Sequence, residues 1–186
     1  MPIFKINNQK LQPKSELQTK MKIEIDQSGK IVNTSRHTFV AFSNDEHFVL
    51  KINSREKRKL QKYFRSIGKS RLFIYITFAT LIVILLKHFK SETKQITIDV
   101  EYPGKSDLIR DLIENLSPGL SGDISFHRIG KNSPAHYLAH GVAIKKSKPD
   151  LIIDANQLLK LIKKSGVLKL LIKQDGSAPY PIVNIL

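Results

Sequence analysis

Hydrophobic and polar residues alternate in several short segments near the start of the chain, as they do in half-buried β-strands. The alternation predicts a first strand at residues 22–26, and the polar residues 27–30 would form the turn that ends it. Two more apolar segments, at 37–43 and 47–53, are separated by only three polar residues and predict a β-hairpin. We therefore expect an antiparallel three-stranded meander.

A long stretch without strand-like alternation follows and predicts helical structure over residues 54–90. One helix of that length would measure about 55 Å, which is too long for a compact domain of this size. Gly68 is a suitable residue to end a helix. We therefore predict two helices, a basic one at 54–66 and an apolar one at 71–89.

Strands and helices alternate in the remainder of the chain. The pattern predicts strands at 95–102 and 123–129 and helices at 106–116, 133–146 and 154–165, with 167–173 as a weaker candidate for a further strand. The predicted order is β-β-β-α-β-α-β-α, an α/β fold built on a mixed five-stranded sheet. We expect a poorly ordered segment at 1–20 and a single domain at 21–186, with 54–90 as a helical insertion.

The charge of the chain adds a class of partner. The 186 residues have a net charge of +15, and residues 51–71 contain nine basic residues against one acid, Glu56. Such an excess favours a polyanion, either nucleic acid or an anionic membrane surface. The chain has no cysteine, which excludes disulfides and thiolate zinc sites, and residues 1–20 lack the apolar core of a signal peptide. We expect a cytoplasmic protein, with membrane association as the alternative.

Acidic residues occur at alternate positions of two predicted strands, which places them on one face of each. Glu24 and Asp26 share a face of the first strand, and Asp99 and Glu101 share a face of the fourth. If the two strands are neighbours, up to four carboxylates converge, and like charges at that separation require a neutralising cation. Carboxylate oxygens suit Mg²⁺ or Mn²⁺, so Asp26, Asp99 and Glu101 are the predicted metal ligands.

The order of elements over residues 22–146 resembles that of the ribonuclease H-like fold, which begins with a three-stranded meander and continues with alternating strands and helices. The segment IDQSGK at 25–30 is also similar to the Asp-Glu-Ser-Gly openings of some ribonucleases in that superfamily, with Gln27 in place of their Glu. The resemblance implies that the first and fourth strands are adjacent and that Asp26 and Asp99 are catalytic.

The same resemblance implies two further catalytic candidates. A catalytic Glu near the start of the first helix would be Glu56, although its position three residues after Asn53 also fits a helix capping box. A side chain late in the chain that assists metal binding or product release would be His136. It shares a helix face with His140, but residue 137 is Tyr, so the HExxH zinc motif is absent.

Cations on the basic helix alternate with the aromatic residues Tyr63 and Phe64 and could follow a phosphate backbone. A basic turn before the helix at 133–146 could bind one more phosphate. The predicted nucleic-acid-binding residues are Lys57, Arg58, Lys62, Arg65, Lys69 and Lys131.

The apolar segment 72–86 has no charge in 15 residues. It would extend about 22 Å as a helix, less than the roughly 30 Å of a bilayer core, although inclusion of residues up to 89 would lengthen it. Such a helix is buried either in protein or in lipid. We favour a core helix, because the meander alone is too small to fold on one side of a membrane.

Together these features predict a nucleic-acid-binding protein that acts as a Mg²⁺- or Mn²⁺-dependent, ribonuclease H-like endonuclease and cleaves phosphodiesters. Two alternatives stay open. One is a nucleic-acid-binding or accessory protein without catalytic activity, and the other is a single-pass membrane protein anchored by residues 72–89.

Overall fold

The computed structural model describes residues 22–44, 46–89, 95–120 and 122–169, so the predicted N-terminal segment 1–20 lies outside the described residues. The strands are β1 (Lys22–Ser28), β2 (Thr38–Ser43), β3 (His47–Ile52), β4 (Gln95–Asp99), β5 (Asp123–His127) and β6 (Leu151–Ile153). The helices are α1 (Ser54–Ser66), α2 (Phe73–Leu86), α3 (Ser106–Leu116), α4 (Pro134–Ala143) and α5 (Ala155–Ser165), with a 3₁₀ turn at Ser70–Leu72.

The strands form one mixed sheet in the order β5-β4-β1-β2-β3-β6, which confirms the predicted α/β class. β1, β2 and β3 are the expected antiparallel meander, and β4, β5 and β6 join it by parallel pairing. The predicted count of five strands is wrong, because the described part of the chain contains six. The missed strand, β6, has only three residues, too few for a recognisable alternation.

β6 is attached to β3 by more than its short ladder. The backbone N–H of Asp150 donates to Val49 O at 2.9 Å, and Oδ2 of Asp150 accepts from the backbone N–H of Val49 at 2.7 Å. The weaker candidate strand at 167–173 is wrong for residues 167–169, which are helical, and its other residues lie outside the described chain.

Side chains of the meander alternate between two hydrophobic clusters on opposite faces of the sheet. Val40 and Phe42 belong to the larger cluster, which α1, α2, α3 and α5 cover. Phe39 and Ala41 belong to a smaller cluster, which α4 covers. α4 is therefore separated from the other four α-helices of the described chain by the sheet.

The apolar helix α2 is buried on nearly all sides, since it packs against the sheet and against α3 and α5. This packing explains why the helix needs no polar face. Within the residues that the structure describes, none of the helices combines the length and hydrophobicity needed to cross a bilayer.

The basic helix α1 contains one cation that points into the protein. Lys57 is fully buried, and its ammonium donates to Lys30 O at 3.0 Å, to Asn33 O at 2.7 Å and to Thr38 Oγ1 at 2.8 Å. Burial lowers the pKa of this amine to about 8. Lys57 thus secures the loop between β1 and β2, and we remove it from the predicted nucleic-acid-binding residues because it has no exposed surface.

We predict that Lys57→Met lowers the free energy of unfolding by about 2–4 kcal/mol, because it leaves two carbonyls and a hydroxyl without their buried donor. Urea denaturation monitored by circular dichroism would measure the loss. Lys62→Met on the exposed side of the same helix is the matched control and should change stability by less than about 0.5 kcal/mol. Equal stabilities for the two variants would contradict this role of Lys57.

Candidate metal centre

The site begins with the pairing of β1 and β4, which are parallel neighbours in the sheet. Ile25 lies opposite Ile98 in this ladder, so Asp26 and Asp99, the next residue on each strand, lie side by side. Because the side chains of Ile25 and Ile98 are in the larger core, those of Asp26 and Asp99 project to the other face. The first and fourth strands are therefore adjacent, as expected from the resemblance.

Glu101 reaches the same place by a different route from the one that the sequence predicted. β4 ends at Asp99 rather than at residue 102, and the chain bends so that the N–H of Glu101 donates to Asp99 O at 2.9 Å. Asp26, Asp99 and Glu101 each offer a carboxylate oxygen, and these oxygens lie within 4.8 Å of one another. We call these three residues the acidic triad.

Two residues of the acidic triad, Asp26 and Glu101, have raised pKa values. Burial raises the pKa of Asp26, and the charge of Asp99 adds to this effect, although hydrogen bonds from the Gln27 backbone and with His136 oppose it. Burial and repulsion from Asp26 and Asp99 raise the pKa of Glu101 to about 7, and Lys30 has a smaller lowering effect. The folded chain thus holds the Asp26 and Glu101 carboxylates where their ionised forms are disfavoured.

A divalent cation fits this donor set. All three side chains offer hard oxygen ligands, which are the ligands that Mg²⁺ and Mn²⁺ prefer. A bound cation would also reverse the repulsion that raises the pKa of Glu101.

His136 also contacts the triad. Its Nδ1 lies 2.8 Å from Oδ2 of Asp26, which is hydrogen-bonding distance, and its ring stacks on that of His140 with the ring centroids 5.8 Å apart. The contact depends on α4, whose first turn begins at Ser133 and carries His136 towards β1. The structure therefore brings together four of the predicted site residues.

The backbone fixes Asp99 in addition. Its Oδ1 accepts from the N–H of Ile129, in the loop between β5 and α4, at 2.9 Å. Lys131 is exposed in the same loop. The side chain of Asp99 is thus oriented by the segment that leads into α4.

Glu24 does not join the acidic triad, so the convergence of four carboxylates is corrected to three. Its Oε2 accepts from Ser133 Oγ at 2.8 Å, and its Oε1 lies 3.7 Å from Lys22 Nζ. Ser133 Oγ in turn accepts from the N–H of Ala135 as the N-cap of α4. Glu24 therefore anchors the start of the helix that carries His136, a role that strand alternation alone does not indicate.

Glu56 lies outside the acidic triad, on the helix-covered face opposite α4. Its carboxylate accepts from Lys59 Nζ at 2.8 Å and from the backbone N–H of Ala155, the first residue of α5, at 3.0 Å. Both hydrogen bonds lower its pKa, that from Lys59 the more. The predicted capping box is also wrong, because the Asn53 side chain makes no capping bond. Glu56 caps α5 instead of its own helix.

The remaining predicted nucleic-acid-binding residues are divided between two regions. Arg58, Lys62 and Arg65 are exposed on α1, and Lys69 is half-buried just after it. Lys131 is exposed two residues after Ile129, whose N–H donates to Asp99. Lys30, which is not among the predicted residues, acts electrostatically on Glu101. Its place four residues after Asp26, in the segment IDQSGK, could have indicated it.

Comparison of the chain with protein-family models, curated proteins and solved structures finds no match. The fold and the site therefore define the protein as an α/β protein with a mixed sheet and a group of three acidic residues. Any finer assignment depends on the chemistry of the acidic triad.

We predict that Glu101→Gln flattens the dependence of stability on pH. The pKa of Glu101 rises from 4.5 to about 7 in the folded protein, so the wild type loses stability as pH increases through this interval. The variant should gain about 2–3 kcal/mol over the wild type at neutral pH without divalent cations. The loss of stability that ionisation of Asp26 causes as pH increases should remain in the variant.

Thermal denaturation between pH 4 and pH 8 in the presence of a chelator would measure the effect. Glu114→Gln, an exposed carboxylate on α3, is the control and should parallel the wild type. If the stability of Glu101→Gln also varied with pH as that of the wild type does, the raised pKa of Glu101 in the folded protein would be contradicted.

Proposed function

We propose that this protein is a ribonuclease H-like nuclease that hydrolyses phosphodiester bonds with Mg²⁺ or Mn²⁺. The observation that carries the proposal is the convergence of the Asp26, Asp99 and Glu101 carboxylates beside adjacent parallel strands. The order of the first five strands along the chain and the adjacency of β1 and β4 support it, since the resemblance implies both.

The triad would hold the metal through its carboxylate oxygens. Divalent cations, when bound, supply activation of a water molecule and stabilisation of the departing oxygen in phosphodiester hydrolysis. Asp26, Asp99 and Glu101 act as ligands, and no side-chain nucleophile is needed. His136 orients the Asp26 carboxylate, and the Ile129 N–H orients that of Asp99.

A nucleic acid is the substrate class that the charges favour. The chain has a net charge of +15, and two of its cations belong to loops next to the triad. The charge of Lys30 acts on Glu101, and Lys131 lies two residues after Ile129. Once a metal neutralises the acids, these side chains are suited to bind the phosphates on either side of the scissile bond. The proposal includes a cytoplasmic location, in keeping with the cysteine-free sequence.

A second candidate is a nucleic-acid-binding accessory protein without catalytic activity. The exposed cations of α1 favour it, because they lie across the sheet from the triad and could bind phosphates without any reaction there. Cleavage assays with Mg²⁺ or Mn²⁺ on single-stranded, duplex, hybrid and branched substrates distinguish the two candidates.

We predict that Asp99→Asn lowers metal-dependent cleavage by at least about 100-fold, because it removes a charged ligand worth several kcal/mol. The fold should survive, since the Asn side-chain oxygen can still accept from Ile129. Single-turnover cleavage of a labelled substrate measures the loss. Asp123→Asn, an exposed aspartate at the start of β5, is the control and should cleave at the wild-type rate. Full activity in Asp99→Asn would refute the assigned role.

We also predict that Mn²⁺ stabilises the wild type against heat. Ligand binding to the folded state alone contributes about 2.7 kcal/mol at a hundred times Kd, which corresponds to a midpoint shift of several degrees. Asp26→Asn and Asp99→Asn should each abolish the shift, and Asp123→Asn should retain it. A shift that persists in both triad variants would place the bound metal elsewhere.

A further inference from the structure

Helices α1 and α5 lie side by side and run in the same direction. Near their N-termini, Glu56 of α1 accepts from the backbone N–H of Ala155 of α5 at 3.0 Å. About two turns further along, Lys163 Nζ of α5 lies 5.3 Å from the centre of the Tyr63 ring of α1. Contacts at both ends in the same order require a parallel alignment along most of each helix.

The exposed side of this helix pair is strongly basic. Its exposed cations are Arg55, Arg58, Lys59, Lys62 and Arg65 on α1 and Lys160, Lys163 and Lys164 on α5. Within Ser54–Ser66 and Ala155–Ser165 the one acidic residue is Glu56, and Lys59 and the Ala155 N–H already bind it. We call these eight cations the α1–α5 basic surface.

Helical spacing places five of the eight cations along the junction of the two helices. On α1, residues 55, 59 and 62 share the exposed side next to Glu56 and Tyr63, and on α5, residues 160 and 163 share the exposed side next to α1. Neighbouring helix axes are about 8–10 Å apart. The junction therefore carries two neighbouring rows of positive charge, one on each helix.

The α1–α5 basic surface lies across the sheet from the acidic triad. Leu60 of α1 and Leu158 of α5 are buried in the same cluster as Ile25. Asp26, the next residue after Ile25, projects to the opposite face, where it meets His136 of α4. A phosphate in contact with this surface is therefore not the phosphate at the triad.

The chemistry of the surface favours nucleic acid over a membrane. Helices that bind in the plane of a membrane insert apolar side chains beside their cations. The large exposed hydrophobic residues of the described chain are Val32, Ile67, Tyr137, Ile144 and Ile152. Ile67 is the C-cap of α1, and none of the five lies among the cations within α1 or α5. Rows of cations with no large exposed apolar side chain between them are suited to a phosphate backbone.

We propose that the α1–α5 basic surface is a second nucleic-acid contact, which binds a segment of the polymer distant from the one at the acidic triad. The proposal rests on nucleic acid as the substrate class of the proposed function. It adds Arg55, Lys160, Lys163 and Lys164 to the residues proposed to bind phosphates, while Lys59 stays paired with Glu56. The surface strengthens the binding of long substrates and leaves the chemical step unchanged.

The test compares Lys62→Ala/Lys160→Ala with Lys146→Ala/Lys148→Ala in the full chain. The control pair makes the same charge change at two exposed lysines in the loop between α4 and β6. Fluorescence anisotropy with a chelator present would measure binding of a duplex of about 30 base pairs, which spans about 100 Å. Thermal denaturation of each variant checks that the fold is intact.

We expect the Lys62/Lys160 variant to bind the duplex about tenfold or more weakly at 50 mM salt, with a salt slope lower by about two. The control pair should stay within about twofold of the wild type. Since the chelator removes metal-dependent cleavage, this outcome does not depend on whether the protein is a nuclease. In the separate cleavage assays with Mg²⁺ or Mn²⁺, absence of cleavage by the wild type would refute the nuclease proposal and leave the binding result intact.

Two outcomes would overturn the inference. One is equal weakening of duplex binding in the two variants, which would reflect total charge rather than this surface. The other is unchanged duplex binding in the Lys62/Lys160 variant, and a simultaneous loss of sedimentation on phosphatidylserine vesicles would then assign the surface to a membrane.

Discussion

The parallel pairing of β1 with β4 is the constraint on which the site depends. Hydrogen bonds between the two backbones set Ile25 opposite Ile98, and both isoleucines are fixed in the larger core. Since successive side chains of a strand point to opposite faces, the apolar contacts on one face oblige Asp26 and Asp99 to meet on the other. The free energy of core packing thus holds two carboxylates at a separation that they would not adopt alone.

The helices on the two faces of the sheet have different roles. α4, anchored through Ser133 to Glu24, brings His136 to Asp26 on the face of the triad. α1, α2, α3 and α5 bury the other face, with α2 as the apolar centre of that layer. The acidic triad and the larger hydrophobic core are therefore separated by the thickness of the sheet.

Most of the fold could be predicted from the sequence, because its strands and amphipathic helices follow periodic patterns and end at recognisable residues. α1 and α3 occupy the predicted residues, 54–66 and 106–116. β6 could not be predicted, since three residues show no periodicity, and its place beside β3 depends on Asp150, a long-range contact.

The site could be predicted less completely, for a similar reason. Alternation along two strands indicated Asp26 and Asp99, and proximity of those strands was enough to bring the two together. The partners of Glu24, Glu56 and Lys57 depend on which helix packs on which face, and that information is not local. Each of these three charged residues binds a backbone or cap group of a distant segment instead of a ligand.

Helix α1 is hydrogen-bonded to the loop between β1 and β2. The buried Lys57 of α1 donates a hydrogen bond to the backbone carbonyl of Lys30, and the charge of the Lys30 side chain acts on Glu101. The exposed cations of α1 belong to the α1–α5 basic surface. Hydrogen bonds from Lys57 therefore tie α1 to the loop that contains Lys30. A polymer bound to both the acidic triad and the α1–α5 basic surface would have to reach from one face of the sheet to the other. The fold therefore sets the length of the shortest molecule that could contact both.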